Sequence, residues 1–167
     1  MDRSENDNSL PSIHAFSTFF YPKVTKQGHS GVKRWTRKVD LFSLDRVLFP
    51  IHLGVHWTFA AALIKEKEVV YMDSMGDSNV QCQKVLLQYL RDEHQLRKKS
   101  PLPDGWTTRS MSGEIPQQNN SSDCGVFCCK FADYVARGLL KFNFEAKDMQ
   151  TMRRSICYEI LVGQKVF

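Results

Sequence analysis

The sequence predicts an α+β fold, a central and mostly antiparallel sheet flanked by helices, from three observations. Three apolar, β-branched or aromatic runs of strand length follow closely between Arg46 and Asp73. The connections between them are short enough for antiparallel hairpins. Beyond them the apolar period changes from 2 to 3.6, so strands come first and helices mostly after.

Residues 1–11 are polar and are expected to be flexible or displaced. Ile13 to Tyr21 is rich in aromatic residues (Phe16, Phe19, Phe20, Tyr21) and reads as a short helix packed on the core. Gly28 to Gly31 reads as a loop, and Val32 to Lys38 as a helical turn. The three strands are Arg46–His52, Trp57–Ile64 and Val69–Asp73, with turns at Leu53-Gly54-Val55 and Lys65-Glu66-Lys67. Asn79 to Leu96 is a helix, with Asn79 as its cap and Val80, Val85, Leu86, Tyr89 and Leu90 on its apolar stripe. Lys98 to Glu114, with Pro101, Pro103 and Gly105, is a polar connection. Ser122 or Asp123 caps a second helix carrying Val126, Phe127, Phe131, Tyr134 and Val135, which ends at Gly138. Ala146 to Leu161 forms the last helix, with Met149, Met152, Ile156, Ile160 and Leu161 on one side.

At 167 residues, 42% hydrophobic and 25% charged, residues 1–167 are expected to form one domain with one substantial core. No run approaches the apolar length of a membrane span, so no membrane insertion is expected. The first dozen residues lack the apolar stretch of a signal peptide, so the chain reads as intracellular. Its five cysteines are odd in number and irregularly spaced, which argues against a secreted disulfide framework. There is no Cys-x-x-Cys pair, so no zinc or other metal site is expected. Cys82, Cys128, Cys129 and Cys157 read as small buried hydrophobes. The net charge of +5 is uneven: Lys23, Lys26, Lys33, Arg34, Arg37 and Lys38 cluster without an acid. That cluster suits a solvated face or an acidic protein partner. With only Trp35 interleaved and no nucleic-acid motif, no nucleic-acid partner is expected.

Four residues can supply the parts of a cysteine acyl-transfer site: nucleophile, base, orienter and oxyanion donor. Cys124 follows a helix cap, where unpaired N–H groups and the helix dipole favour an anion; the alternative is a buried helix-start cysteine. His56 enters the second strand, at a rim where a base is useful, and His52 is its competitor. Asp73 closes the neighbouring strand and can reach the His56 ring, or can simply form a turn in Asp-Ser-Met-Gly. Gln118 precedes Cys124 in a loop and can bind an oxyanion together with the Cys124 N–H; Gln117 is its rival. Trp57 either lines a narrow channel beside the base or fills the core.

The segments His14–Phe20, Val32–Thr36, Pro50–His52 with Val55–Trp57, Tyr71–Gly76, and Ile115–Gln118 through Ser122–Gly125 resemble the sentrin (SUMO)-specific proteases. The resemblance runs from about Leu10 to about Leu161. It implies a papain-related cysteine protease core with His56 as base, Asp73 as orienter, Gln118 as oxyanion donor and Cys124 as nucleophile. The family's six-residue step from Gln to Cys favours Gln118 over Gln117, and Trp57 would cover the substrate's diglycine tail. The implied activity is hydrolysis of the bond after that diglycine, in SUMO maturation and in deconjugation from lysine, without a cofactor. The implied partners are SUMO and SUMO-conjugated proteins, and the implied location is nuclear. A SUMO-binding module impaired in catalysis, or a protease for another ubiquitin-like protein such as NEDD8, are the alternatives. The family carries further sequence before the region matched here, so the catalytic domain is expected to be N-terminally incomplete. It also usually has Gly where this chain has Ser121. A positive φ there would strain Ser121 by on the order of 1 kcal/mol.

Overall fold

The structure, a computed structural model, describes residues 10–163. Five strands form one mixed sheet in the order β1-β2-β3-β4-β5. They are β1 (Ile13–Ala15), β2 (Arg46–His52), β3 (Trp57–Leu63), β4 (Glu68–Met72) and β5 (Thr107–Ser110). The helices are α1 (Phe20–Val32), α2 (Val80–Lys98), α3 (Cys124–Ala136) and α4 (Met149–Val162). The expected hairpins hold: β2 pairs antiparallel with β3 and β3 with β4. Both edge strands add in parallel, β1 to β2 and β5 to β4.

Side chains alternate across a strand, so the sheet presents two apolar faces. Val47, Phe49, Ile51, Ala60, Ala62, Val69 and Tyr71 pack with α1 and α2. Leu48, Phe59, Ala61, Leu63, Val70 and Met72 pack with α3 and Met149 of α4. Burial on both faces explains why β3 reads as a continuous apolar run rather than an alternating one. Its three alanines, all fully buried, let helices approach from either side.

Several expectations need correction. Ile13 to Tyr21 is not a helix: Ile13–Ala15 is an edge strand, and α1 starts only at Phe20. Ser12 explains the change. Its N–H and hydroxyl donate to Asp45 Oδ2 at 2.7 and 2.8 Å, which lays the next residues alongside β2. The Gly28 loop survives as a break inside α1, where φ of 63° suits glycine alone. The polar connection contains β5, which the sequence hid because Thr107-Thr108-Arg109-Ser110 is polar and partly exposed. Asn79 caps α2 as expected, its Oδ1 accepting from Cys82 N at 2.9 Å. Val80 is exposed, however, and Cys82 takes its place on the buried stripe. Ile160 and Leu161 of α4 are exposed, and only Met149, Met152 and Ile156 face the core. The flexibility expected of residues 1–11 falls largely outside the described residues. Leu10 and Pro11 are half-buried.

Candidate active site

α3 begins at Cys124, with the first turn closed by Phe127 N donating to Asp123 O at 3.0 Å. The cysteine is buried, at 7% exposure, at the end of a helix whose unpaired N–H groups face outward. Two contacts fix this end against the start of β3. Trp57 Cδ1 lies 3.7 Å from the position a Cβ at Gly125 would occupy. One turn on, Cys128 Sγ donates to Thr58 O at 3.3 Å. The His56-Trp57 entry to β3 and the Cys124-Gly125 entry to α3 are therefore neighbours, although 68 residues apart in the chain.

His56 Nε2 donates to Asp73 Oδ1 at 2.7 Å. That bond fixes the tautomer and leaves the Nδ1 lone pair as the basic position. Nδ1 is buried and has no hydrogen-bond partner. Asp73 is itself buried, and the same Oδ1 accepts from Met75 N at 2.8 Å. One carboxylate oxygen of Asp73 thus both closes the turn and meets the His56 ring.

Gln118 is held from two sides. Its Oε1 accepts from Ser74 Oγ at 2.6 Å, and its backbone N–H donates to Ser74 O at 2.7 Å. Its Nε2 donates to Asn120 O at 2.5 Å. A primary amide carries two N–H donors, so a second remains for another acceptor. The rival Gln117 is exposed and lies over Gly76, its Nε2 2.9 Å from where a Cβ there would sit.

The other histidines are engaged elsewhere. His52 ends β2 with its ring 4.4 Å from that of Trp57. His14 packs edge-on against Phe16, and burial lowers its pKa. His29 meets Glu93, and His94 Nδ1 meets Ser100 O. Cys82 and Cys128 are buried, and burial pushes each thiol up to about 12. Cys129 and Cys157 correct the expectation of burial: both are exposed, on the outer sides of α3 and α4. Among the described residues, no group of three or more His, Cys, Asp or Glu is placed to hold a metal. No described helix is long and apolar enough to cross a membrane.

Two details of the loop before Cys124 were not legible in the sequence. Ser121 carries no strain, since the non-glycine residues of positive φ among those described are Lys67 and Lys99. Asp123 occupies the N-cap position without a side-chain cap bond. Its carboxylate instead accepts from Asn120 Nδ2 at 2.7 Å and from Arg153 of α4 at 2.6 Å.

The model of the Ulp1 protease family, C-terminal catalytic domain, matches residues 1–164. A sentrin-specific protease of Caenorhabditis elegans is 43% identical over 161 residues, covering 96% of this chain and 23% of its own. Sentrin-specific protease 2 of Mus musculus is 45% identical over 166 residues, covering 98% and 28%. The chain thus spans about a quarter of the length of the curated relatives it matches. A solved SUMO protease Ulp1, its catalytic cysteine oxidised to a sulfinic acid, superimposes with a TM-score of 0.80 at 29% identity, over 93% of this chain and 71% of that one. The C-terminal Ulp1 protease domain in complex with Smt3, the yeast ortholog of SUMO, gives 0.77 at 29% identity, over 92% and 70%.

Proposed function

The chain belongs to the Ulp1 protease family, and from that premise we propose that it is a cysteine protease hydrolysing the bond after the C-terminal diglycine of SUMO. The observation that carries the proposal is the His56 ring: Nε2 is committed to Asp73, Nδ1 is buried and unpartnered, and the next residue, Trp57, lies against Gly125 at the start of α3. An unpaired buried nitrogen is costly unless it has a task, and here the task is to take the Cys124 proton.

In this reading the Cys124 thiolate attacks the terminal glycine carbonyl. The developing oxyanion accepts from the remaining Gln118 N–H and from backbone N–H at the helix start. Collapse of the tetrahedral adduct breaks the C–N bond, and the leaving lysine amine takes the proton held at His56 Nδ1. Water then attacks the thioester, losing its proton to His56, and the SUMO carboxylate departs as the thiol is restored. Trp57, half-buried beside Gly125, would roof a passage too narrow for side chains, which explains the diglycine requirement. Lys33, Arg34, Arg37 and Lys38 are exposed and would complement an acidic face of SUMO. Nuclear placement belongs to the same reading.

The test is incubation with SUMO bearing a C-terminal vinyl sulfone, beside matched NEDD8 and ubiquitin probes, read by intact mass. A SUMO adduct on Cys124, absent in Cys124→Ala, is expected. A NEDD8 adduct alone would transfer the assignment to that modifier. No adduct from a cooperatively melting chain would leave a SUMO-binding module without catalysis.

A further inference from the structure

Arg153 lies on α4, outside every element that carries a proposed catalytic group. Its face of the helix also carries Met149, Met152 and Ile156, which pack toward α3. From there the guanidinium reaches the two residues before the nucleophile. Its NH2 group donates to Ser122 O at 3.2 Å and to Asp123 Oδ1 at 2.6 Å. Asp123 Oδ2 accepts from Asn120 Nδ2 at 2.7 Å. Asn120 Oδ1 accepts from Ser122 N at 2.9 Å and Asp123 N at 3.1 Å. Asn120 O in turn receives the Gln118 amide. A continuous run of hydrogen bonds thus leads from Arg153 through Asp123 and Asn120 to Gln118. The bonds from Asn120 and Arg153 hold the Asp123 carboxyl below the usual carboxylate range, so the pair stays charged at neutral pH.

We propose that Arg153 is a positioning residue for the oxyanion step: it braces the Asn120–Asp123 loop from α4 and so fixes where the Gln118 amide points. The proposal rests on the reading of Gln118 and Cys124 given above. Without Arg153, Ser122 O and one Asp123 oxygen lose their donor. The Asn120 carbonyl, which aims the Gln118 N–H, is then held only from within its own loop. Arg154, the next residue, is exposed and provides a matched control on the same helix.

Two reactions of Cys124 separate this role from a general structural one. Peptide hydrolysis passes through an oxyanion, whereas alkylation by iodoacetamide is a displacement at carbon that forms none. The full chain and its Arg153→Ala, Arg153→Lys and Arg154→Ala variants are compared in both, with a fluorogenic SUMO C-terminal amide as substrate. Removing an oxyanion donor outright costs about 10²–10³ in kcat, so loosening one should cost about tenfold, with KM within about twofold. Alkylation of Cys124 in Arg153→Ala stays within about twofold of the unaltered chain. Arg153→Lys, which keeps a charged donor, recovers most of the kcat, and Arg154→Ala loses none. The inference is overturned if kcat is unchanged, or if alkylation falls in step with it. It is equally overturned if Arg153→Lys melts cooperatively but shows no recovery over Arg153→Ala. If the unaltered chain alkylates at Cys124 yet does not turn over SUMO, the proposed function fails instead.

Discussion

Glu93 offers the sharpest test of how the basic surface is held. Its side chain is completely buried and accepts from three elements. His29 Nε2 of α1 lies at 2.6 Å, Thr36 Oγ1 at 2.5 Å and Arg97 Nε of α2 at 2.8 Å. Arg97 also donates to Lys33 O at 2.7 Å, so the knot anchors the basic turn over residues 33–38. Burial alone would raise the Glu93 pKa, but the bonds from Thr36, Arg97 and His29 outweigh it and hold the group below its ordinary value. A hydrogen bond to a charged group contributes about 1.5–3 kcal/mol, so three fully shielded bonds would give about 5–9 kcal/mol. Arg97 is 28% and His29 14% exposed, so water can re-solvate both after truncation. That reduces the expected cost of Glu93→Ala to about 3–5 kcal/mol, the usual figure for breaking a buried pair. With a urea m-value of about 2 kcal/mol/M, the unfolding midpoint should fall by about 1.5–2.5 M. Thr36→Val, which removes one donor and leaves the ion pair, should cost only about 1 kcal/mol. Where Glu93→Ala remains folded, KM for a SUMO substrate should rise by about three- to tenfold with kcat little changed, because the basic turn loses its anchor. A midpoint shift under about 0.5 M would refute the argument, since a buried carboxylate with three donors cannot be removed so cheaply.

Three further outcomes are expected. Asp73→Asn should lower kcat/KM by on the order of a thousandfold or more while leaving cooperative melting intact, because the amide no longer fixes the His56 tautomer; activity within tenfold of the unaltered chain would remove Asp73 from its role. Reversing Lys33, Arg34, Arg37 and Lys38 to Glu should slow association with SUMO most strongly at low salt, measured by stopped flow; an unchanged on-rate would assign those residues to a solvated face. The bonds from Lys65 and Ser12 hold the Asp45 carboxyl down at about 2. Its contribution to stability is therefore fully present above the unfolded value near ~4 and is lost as pH falls from there through about 2. Acid unfolding should show Asp45→Asn losing that segment of pH dependence and converging with the unaltered chain at the acid end; parallel curves throughout would contradict it.

Legibility in the sequence followed the range of the interactions. β2, β3 and β4 are adjacent in the chain and apolar on both faces, so composition and short connections were enough. β1 and β5 are held by parallel pairing with distant strands, and nothing local in Ile13–Ala15 or Thr107–Ser110 announces it. The four candidate site residues could be named because residue type, spacing and flanking motif agree. The groups that hold them could not. Ser74, Asn120 and Arg153 are ordinary polar residues at the surface or in turns, and only three-dimensional proximity gives them partners. Ser121 shows the converse error. A departure from the family's glycine suggested strain, but the backbone there does not enter the left-handed region.

The placement of Asp73 and Ser74 ties together two of the proposed roles. Consecutive residues just after β4 hold the proposed base and the proposed oxyanion amide: Asp73 through His56 Nε2, Ser74 through both the backbone and the side chain of Gln118. β4 is paired on both sides, with β3 and β5, and Val69, Val70, Tyr71 and Met72 are almost fully buried, so its end has little freedom to drift. Cys124, the proposed nucleophile, comes from a different element, but α3 is fixed to β3 through Trp57 and Thr58, and β3 is paired with β4. His56 and Cys124, the proposed base and nucleophile, thus share one rigid reference, the inner strands of the sheet. Gln118 is tied to the same reference only in part, since one of its three bonds goes to the Asn120 loop, whose proposed brace is Arg153 on the helix farthest along the chain. Of the four candidate groups, Gln118 is therefore the one most open to displacement without disturbance of the core.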